Sequence, residues 1–328
     1  MAEGPKSPKG LDEILKRWRQ IVMDKKRQII TPEEVIAQKV GFLKDWIFSD
    51  AEPLDSWEIR EFKYTRKRER IYTDREWRPI RVGQTWGGAD MSAHFRCSTS
   101  VPERFAGKKV VLKVYFDGDG LLTVNGVPYH GLDPFRDTVL LADKAKGGEK
   151  FDFEAECYIM WHAGESLVKN FECSHLAVVD QEMHDTYWDL QIPVKVMLTE
   201  EIDPQVREYL KAVLWEAAWH IDHNETDPAR IREMARTART IVREQVYGAD
   251  LFSRAGLINY TGNSHLDVCF MWTHAEFVRK LGRTTATALR LIEQYPEYVF
   301  AQSQALMYEE LKNNYPDLFK QVQQRTRE

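Results

Sequence analysis

Cysteine is scarce in this 328-residue chain and never paired in sequence: Cys97, Cys157, Cys173 and Cys269 stand far apart and form no CxxC. That spacing argues against a zinc ribbon and a disulfide framework. It suits a reducing compartment, so a cytoplasmic location is expected. No uncharged apolar run approaches the roughly eighteen residues of a membrane-spanning helix, and the first residues, Met-Ala-Glu-Gly-Pro-Lys, lack a signal peptide's apolar stretch. A basic surplus is missing too. With a net charge of −5 the chain has no field drawing it to nucleic acid or anionic lipid, and neither partner is expected. The densest basic run, Arg66-Lys67-Arg68-Glu69-Arg70, is broken by an acid and followed by Asp74 and Glu76, which reads as a solvated face. There is no Gly-x-Ser-x-Gly, P-loop or Gly-x-Gly-x-x-Gly, so serine-hydrolase and nucleotide chemistries have no foothold.

What is present is an ordinary globular composition, 43% apolar and 30% charged, with length for about two domains. Leu11, Ile14, Leu15, Trp18, Ile21 and Val22 recur at helical spacing. A second helix is expected from Thr31-Pro32-Glu33-Glu34, Thr31 as cap, carrying Val40, Leu43 and Trp46 inward. Residues 50–90 read as loops and short edge strands. Alternation then marks strands from His94 to Thr99, Val110 to Phe116, Leu121 to Val124, Lys150 to Ile159, Glu172 to Val179 and Leu190 to Leu198. Asn125-Gly126 is a strong hairpin signal. Asp117 and Asp119 read as hairpin chemistry, not as a calcium loop. Short strands between regular turn signals imply an antiparallel sandwich.

Helices are expected at Asp203-Pro204 and Asp227-Pro228, each an acidic cap with proline in the first turn. A strand at Leu257, a helix from about Thr273 to Gln294, a strand from Tyr298 to Ser303 and two closing helices make a βαβα unit. The fold class is therefore multi-domain: a helical arm (1–50), an antiparallel β-sandwich (51–200), a helical connector (201–250) and a βα segment (251–328).

Between that strand and helix stands Gly262-Asn263-Ser264-His265-Leu266-Asp267. On extended backbone, residues two apart point the same way. His265 and Asp267 can thus converge on one cation, and imidazole plus carboxylate suits zinc, although a zinc site needs at least three protein ligands. A decoy with the same spacing, His220-Ile221-Asp222 beside His223, is expected on helix, where neighbours two apart diverge; it reads as a polar helix end. Trp77 and Trp86 could be exposed platforms or core. Glu276, Arg279, Lys280 and Arg283 read as a charged helix face with structural pairing.

The run His265-Leu266-Asp267-Val268-Cys269-Phe270-Met271-Trp272 continues through Ala275-Glu276, Arg279-Lys280, Arg283-Thr284 and Leu289-Arg290-Leu291-Ile292 to Tyr295-Pro296-Glu297-Tyr298-Val299-Phe300 and Tyr315-Pro316. This text resembles the opening of the catalytic domain of glycoside hydrolase family 38, the α-mannosidases, in the subgroup of bacterial and cytosolic or vacuolar enzymes. The region before it resembles that subgroup's amino-terminal β-domain, less sharply. The resemblance implies a retaining, zinc-dependent enzyme acting on mannose-containing oligosaccharides, with residues from 251 opening a seven-stranded β/α barrel.

By the same resemblance, His265 and Asp267 match the family's first two metal ligands; other divalent metals are compatible. Phe270 stands where the family has a tryptophan floor for the sugar. Trp272 matches a second aromatic and reads as packing. Thr273 replaces the usual proline, and Cys269, in place of a small residue, is expected as a buried thiol pointing away from the pair. The family's nucleophile, which is also a metal ligand, and its acid/base fall after residue 328, so no catalytic carboxylate is assigned and this portion alone is expected to be inactive. A homo-oligomer is compatible. The alternatives are a non-enzymatic carbohydrate-binding or assembly module built on the sandwich and a separate zinc hydrolase such as a deacetylase. The latter lacks the further histidine pair and aspartate near His265.

Overall fold

The structure is a computed structural model describing residues 30–65, 69–159, 167–249, 259–270 and 272–327. The expected helix over 11–22, residues 257–258 of the expected strand and 66–68 of the basic run lie outside them. The described residues fall into two compact units, one from Met1–Trp46 and Glu182–Ser253, the other from Ile47–Gln181 and Arg254–Glu328.

The first unit is helical: α1 (Pro32–Phe42), α2 (Gln181–Met197), α3 (Pro204–Trp219) and α4 (Pro228–Val242). Three starts are the expected ones. Thr31 and Glu34 form a reciprocal capping box, while Asp203 and Asp227 each accept N–H groups of the first turn ahead of proline. The expected strand at Leu190–Leu198 is instead the second half of α2. Its Leu-x-Ile-x-Val-x-Val-x-Leu text satisfies a period of two, yet Met183, Tyr187, Leu190, Val194 and Met197 satisfy the helical period and are buried. The helical choice leaves Ile192, Val196 and Leu198 exposed. Arg239 fixes α2 against α4 through Asp189, Nε to Oδ2 at 2.6 Å.

The second unit opens with β1 (Phe48–Pro53), β2 (Glu58–Tyr64), β3 (Arg70–Tyr72), β4 (Arg78–Pro79), β5 (Thr85–Gly87), β6 (Ser92–Ser100) and β7 (Val110–Tyr115). It continues with β8 (Asp119–Val124), β9 (Val127–Leu132), β10 (Thr138–Ala142), β11 (Lys150–Tyr158), β12 (Val168–Asn170) and β13 (Cys173–Val179). One antiparallel sheet runs β1–β13–β7–β10; a larger one runs β3–β2–β6–β11–β8–β9, with β4 on β2. Asn125 and Gly126 both take positive φ, 51° and 79°, giving the expected tight turn between β8 and β9. Within 50–90 the expectation of edge strands fails at β2, which lies between β3 and β6.

Phe95, Phe153, Leu122, Leu112, Val114 and Leu176 from the two sheets share one core, where Phe95 stacks on Phe116 at 3.9 Å. Trp86 belongs to that core, not to a platform, and its indole N–H donates to the Phe116 carbonyl at 2.7 Å. Alternation turns the intervening residues of β6 and β11 outward. Glu156 is in direct register with His94.

Beyond the sandwich come β14 (Gly262–Asn263), α5 (His274–Gln294), β15 (Phe300–Ala301), α6 (Ala305–Asn314) and α7 (Pro316–Arg325). β14 and β15 pair in parallel, Gly262 opposite Phe300, so α5 is the crossover of a βαβ unit. Phe277, Val278, Leu281 and Leu289 of α5 share a core with Met307, Leu311, Leu318 and the sandwich residue Leu121. The backbones of α5 and β9 meet closely at Gly131. A Cβ there would come within 3.0 Å of the Arg283 carbonyl, and its N–H donates to Thr287 Oγ1 at 3.0 Å.

Because α5 lies against the sheet, Glu276 and Arg283 are buried and Arg279 and Lys280 largely covered. Glu276, fully enclosed, pairs with Arg279 at 2.6 Å and with Arg283 at 2.7 Å. Arg283 and Lys280 reach Asp119 at the start of β8, at 3.4 and 3.5 Å. Asp119 is thus an anchor for α5, beyond the hairpin role expected of it. Alongside, Glu156 accepts from Tyr64 Oη at 2.7 Å and Arg70 Nη2 at 2.7 Å, with His94 Nε2 at 3.0 Å. Arg70, expected on a solvated face, therefore makes a sheet-surface ion pair.

Two outcomes follow from these networks. Glu276→Ala strands two guanidiniums and should cost about 3–5 kcal/mol in urea unfolding, with a smaller loss in Glu276→Gln. Burial opposes the charge of Glu156, but the His94 hydrogen bond, the Arg70 charge and the Tyr64 hydroxyl hold its pKa down from 4.5 to about 2. Its stabilisation is therefore complete above pH 4.5 and lost as pH falls toward 2. Across that window the wild-type chain should lose at most on the order of 3 kcal/mol that Glu156→Gln does not lose. Parallel acid curves for the two proteins would refute this.

Candidate functional site

The loop from Ser264 to Thr273 joins β14 to α5, and alternation sorts its side chains. Leu266 and Val268 turn inward against the α5 core. His265 and Asp267 turn outward together, with His265 Nε2 3.1 Å from Asp267 Oδ1. Their side chains are 88% and 42% exposed, so both nitrogen and carboxylate donors are open to an incoming ion. The pair therefore converges beside the carboxyl end of β14, as expected. Among the described residues no three His, Cys, Asp or Glu side chains gather closely enough to hold a metal. One imidazole and one carboxylate are donor types that a divalent cation accepts, and they number two, one short of the three protein ligands of a catalytic zinc site.

The loop is held at its far end. Trp272 donates its indole N–H to the Asp267 carbonyl at 3.1 Å, packs against the α5 core and lies under Lys280, Nζ at 4.8 Å from the ring centre. Packing is thus what Trp272 does. Thr273 caps α5, its hydroxyl accepting from the Glu276 amide at 3.4 Å. Phe270 is 71% exposed and meets Trp272 edge-on at 5.9 Å, leaving a free apolar ring near the ligand pair.

Two expectations are corrected. Cys269 is exposed, not a buried thiol. It lies where the backbone bends over 268–270, and Phe270 beside it is exposed as well. The His220-Ile221-Asp222 decoy is not helical: α3 stops at Trp219, and His220 is its carboxyl cap. Ile221 is buried, and Asp222 accepts the Asn224 amide at 2.9 Å, so this is turn chemistry at a helix end. Sequence reasoning missed the Glu156 cluster. Its signal was present, since Tyr64, His94 and Glu156 occupy outward positions of three adjacent strands.

Comparison with known proteins gives two family matches. Residues 52–190 match the α-mannosidase jelly roll domain, and residues 255–328 match the glycosyl hydrolases family 38 N-terminal domain. Human α-mannosidase 2C1 is 29% identical over 272 residues, covering 76% of this chain and 25% of the human protein. Alpha-mannosidase G of Dictyostelium discoideum is 24% identical over 323 residues, 92% of this chain and 29% of that protein. An α-mannosidase of Saccharomyces cerevisiae is 36% identical over 61 residues, 19% of this chain and 6% of that protein. The chain thus spans about a quarter of the length of its longer-matching relatives. Among solved structures, a GH2 β-galacturonidase from Eisenbergiella tayi overlaps 40% of this chain and 24% of its own at 10% identity and a TM-score of 0.26, too slight a likeness to argue from. One match falls on the sandwich and the other on the βαβ segment, in the order that the sequence text implied, so the chain carries a region similar to the α-mannosidase jelly roll followed by one similar to the start of the glycosyl hydrolases family 38 N-terminal domain.

Proposed function

We propose that the chain is the amino-terminal part of a retaining, zinc-dependent α-mannosidase that hydrolyses terminal α-mannosidic bonds of mannose-containing oligosaccharides. The observation that carries this reading is the outward convergence of His265 and Asp267 beside a parallel strand end, inside the stretch matched to family 38. On this reading β14, α5 and β15 open a seven-stranded β/α barrel, whose chemistry sits at the carboxyl ends of its strands. The four free cysteines support a cytoplasmic setting. No described helix is long and apolar enough to cross a membrane.

His265 and Asp267 would hold the ion, which when bound grips sugar hydroxyls and stabilises charge. Phe270 offers the apolar face of a pyranose a flat ring, with less area than indole. Trp272 and Thr273 keep the loop in place, one through the Asp267 carbonyl and the other through the cap of α5. Retention needs two carboxyl groups about 5–5.5 Å apart, one a nucleophile and one an acid/base. Neither is assigned here; both are expected in the part of the relatives that this chain does not span.

The test pairs metal content with turnover. Residues 1–328 alone should hold zinc weakly and cleave no mannoside, since catalytic zinc takes three protein ligands. Completed with the remainder of a family 38 enzyme, the protein should gain tight zinc, measured by elemental analysis, together with hydrolysis of an aryl α-mannoside. There His265→Ala and Asp267→Ala should each lose both, by more than the roughly 100-fold cost of losing an outer ligand partner. Phe270→Ala should raise KM about tenfold with kcat little changed, and Phe270→Trp should be tolerated. His220→Ala should change nothing. Full zinc and full turnover in His265→Ala would remove the metal assignment.

A further inference from the structure

The outer surface of the larger sheet is not flat where α5 leaves it. Between β2, β6, β8, β11 and α5 lies a cleft of about 530 Å³, within the range of small-ligand sites. Tyr64, Arg70, Trp77, Glu154, Arg279 and Tyr315 are among the side chains that line it. None belongs to the loop that carries His265 and Asp267.

Three features decide what the cleft can take. The first is an unmet donor. Arg279 is 11% exposed and its Nη1 makes no hydrogen bond, the Glu156 Oε1 oxygen standing 3.8 Å away. A buried cationic N–H left unpaired costs free energy, and a ligand oxygen would recover it. The second is charge. Arg70, Arg96, Arg279 and Arg283 line the cleft together with Glu154 and Glu156, and Arg283 is already paired with Glu276 and Asp119, so a bare anion meets two carboxylates and a bare cation meets four guanidiniums. Glu156 already accepts from Tyr64 and Arg70 and contacts His94, which leaves it no strong call on a ligand.

The third is a rigid aromatic wall. Arg96, held by Glu58 at 2.7 Å, stacks on Trp77 at 4.2 Å from the ring centre, and Trp77 stays half-exposed. Arg279 likewise stacks between Tyr64 at 4.3 Å and Tyr158 at 4.6 Å. A ligand suited to this place is neutral, presents hydroxyls that both accept and donate, and has an apolar face. Those are the properties of a pyranose.

We propose that the cleft between the outer sheet face and α5 is a second carbohydrate site, one that binds neutral hexopyranose units of an oligosaccharide. Arg279 Nη1 donates to a ring or hydroxyl oxygen, Tyr315 and exposed Glu154 bond hydroxyls, and Trp77 packs on the C–H face. The site rests on the mannosidase reading only for the choice of mannose; its chemistry selects a neutral sugar either way.

The experiment uses the 328-residue chain and mannotriose, followed in NMR through tryptophan indole N–H signals of the wild type and, for every variant, through saturation transfer to the sugar protons. The Trp77 signal, assigned by its loss in Trp77→Phe, should move and saturate. Trp77→Ala and the single-atom change Tyr315→Phe should each weaken binding roughly tenfold, with melting of Tyr315→Phe unchanged. No saturable shift, or equal binding by both variants, would overturn the proposal. So would displacement of the sugar by inorganic phosphate, which would make the cleft an anion site. Sugar signals lost in Phe270→Ala but kept in Trp77→Ala would place the sugar at the loop, ending the cleft proposal and leaving the mannosidase reading intact. Trp77-dependent binding, with no mannoside cleavage by the completed enzyme, would do the reverse.

Discussion

Glu276 is a carboxylate with no exposed surface in the first turn of a long helix, and the placement of the family 38 segment on the sandwich depends on it. A lone buried charge is untenable, so the fold brings it Arg279 one turn on and Arg283 two turns on. Arg283 then reaches across to Asp119. Apolar residues of similar volume would hold α5 to the sheet at least as tightly, but would let it slide. Charges at fixed positions on both partners set one register, and Gly131 provides the close backbone approach that this register needs. The apolar part of the contact, Leu121 among Phe277, Val278 and Leu281, supplies attraction without that selectivity.

The candidate metal loop inherits its position from this docking. Thr273 caps α5 and Trp272 rests on the core that α5 shares with α6 and α7, so the loop's last two residues are tied to the helix. From there the chain turns half-buried Leu266 and Val268 toward the α5 core and leaves His265 and Asp267 open to solvent. Among the described residues no further metal-binding side chain joins His265 and Asp267, and both remain solvent-accessible. On the reading proposed above, this open pair on a fixed loop is one part of a metal site, and the chain spans about a quarter of its longer-matching relatives.

Local signals made much of this legible. Proline after an acidic or hydroxyl cap announced α1, α3 and α4, Asn125-Gly126 announced the β8–β9 turn, and the α5 text announced a helix whose bounds were placed to within a residue. What stayed hidden depended on partners distant in sequence. Residues 190–198 satisfy both periods, and only the packing of Leu190, Val194 and Met197 decides for helix. Asp119 looks like any turn acid until α5 brings Lys280 and Arg283 to it. Cys269 is expected to point away from the pair into the interior, but the bend over 268–270 that exposes it is not written in its spacing. Arg279 and Glu276 read as a charged surface because burial of the helix face that carries them cannot be seen from the helix alone.

The outer row of the larger sheet therefore serves two ends with one periodicity. Every second residue of β6 and β11 is committed to the core, which frees His94, Arg96, Glu154 and Glu156 for the other face, half of it covered by α5 and half left as a cleft. Arg279 stands at the boundary, bonded to Glu276 beneath the helix, while its Nη1, 3.8 Å from Glu156 Oε1, makes no hydrogen bond. It lies six residues from Thr273, about 9 Å along the helix axis at 1.5 Å per residue. One rigid element thus carries both the anchor of the metal loop and the wall of the cleft. A disturbance at Glu276 must reach both, because it moves the helix. A change at Trp77 or at His265 stays on its own side of that helix, and this separation allows the two sites to be judged independently.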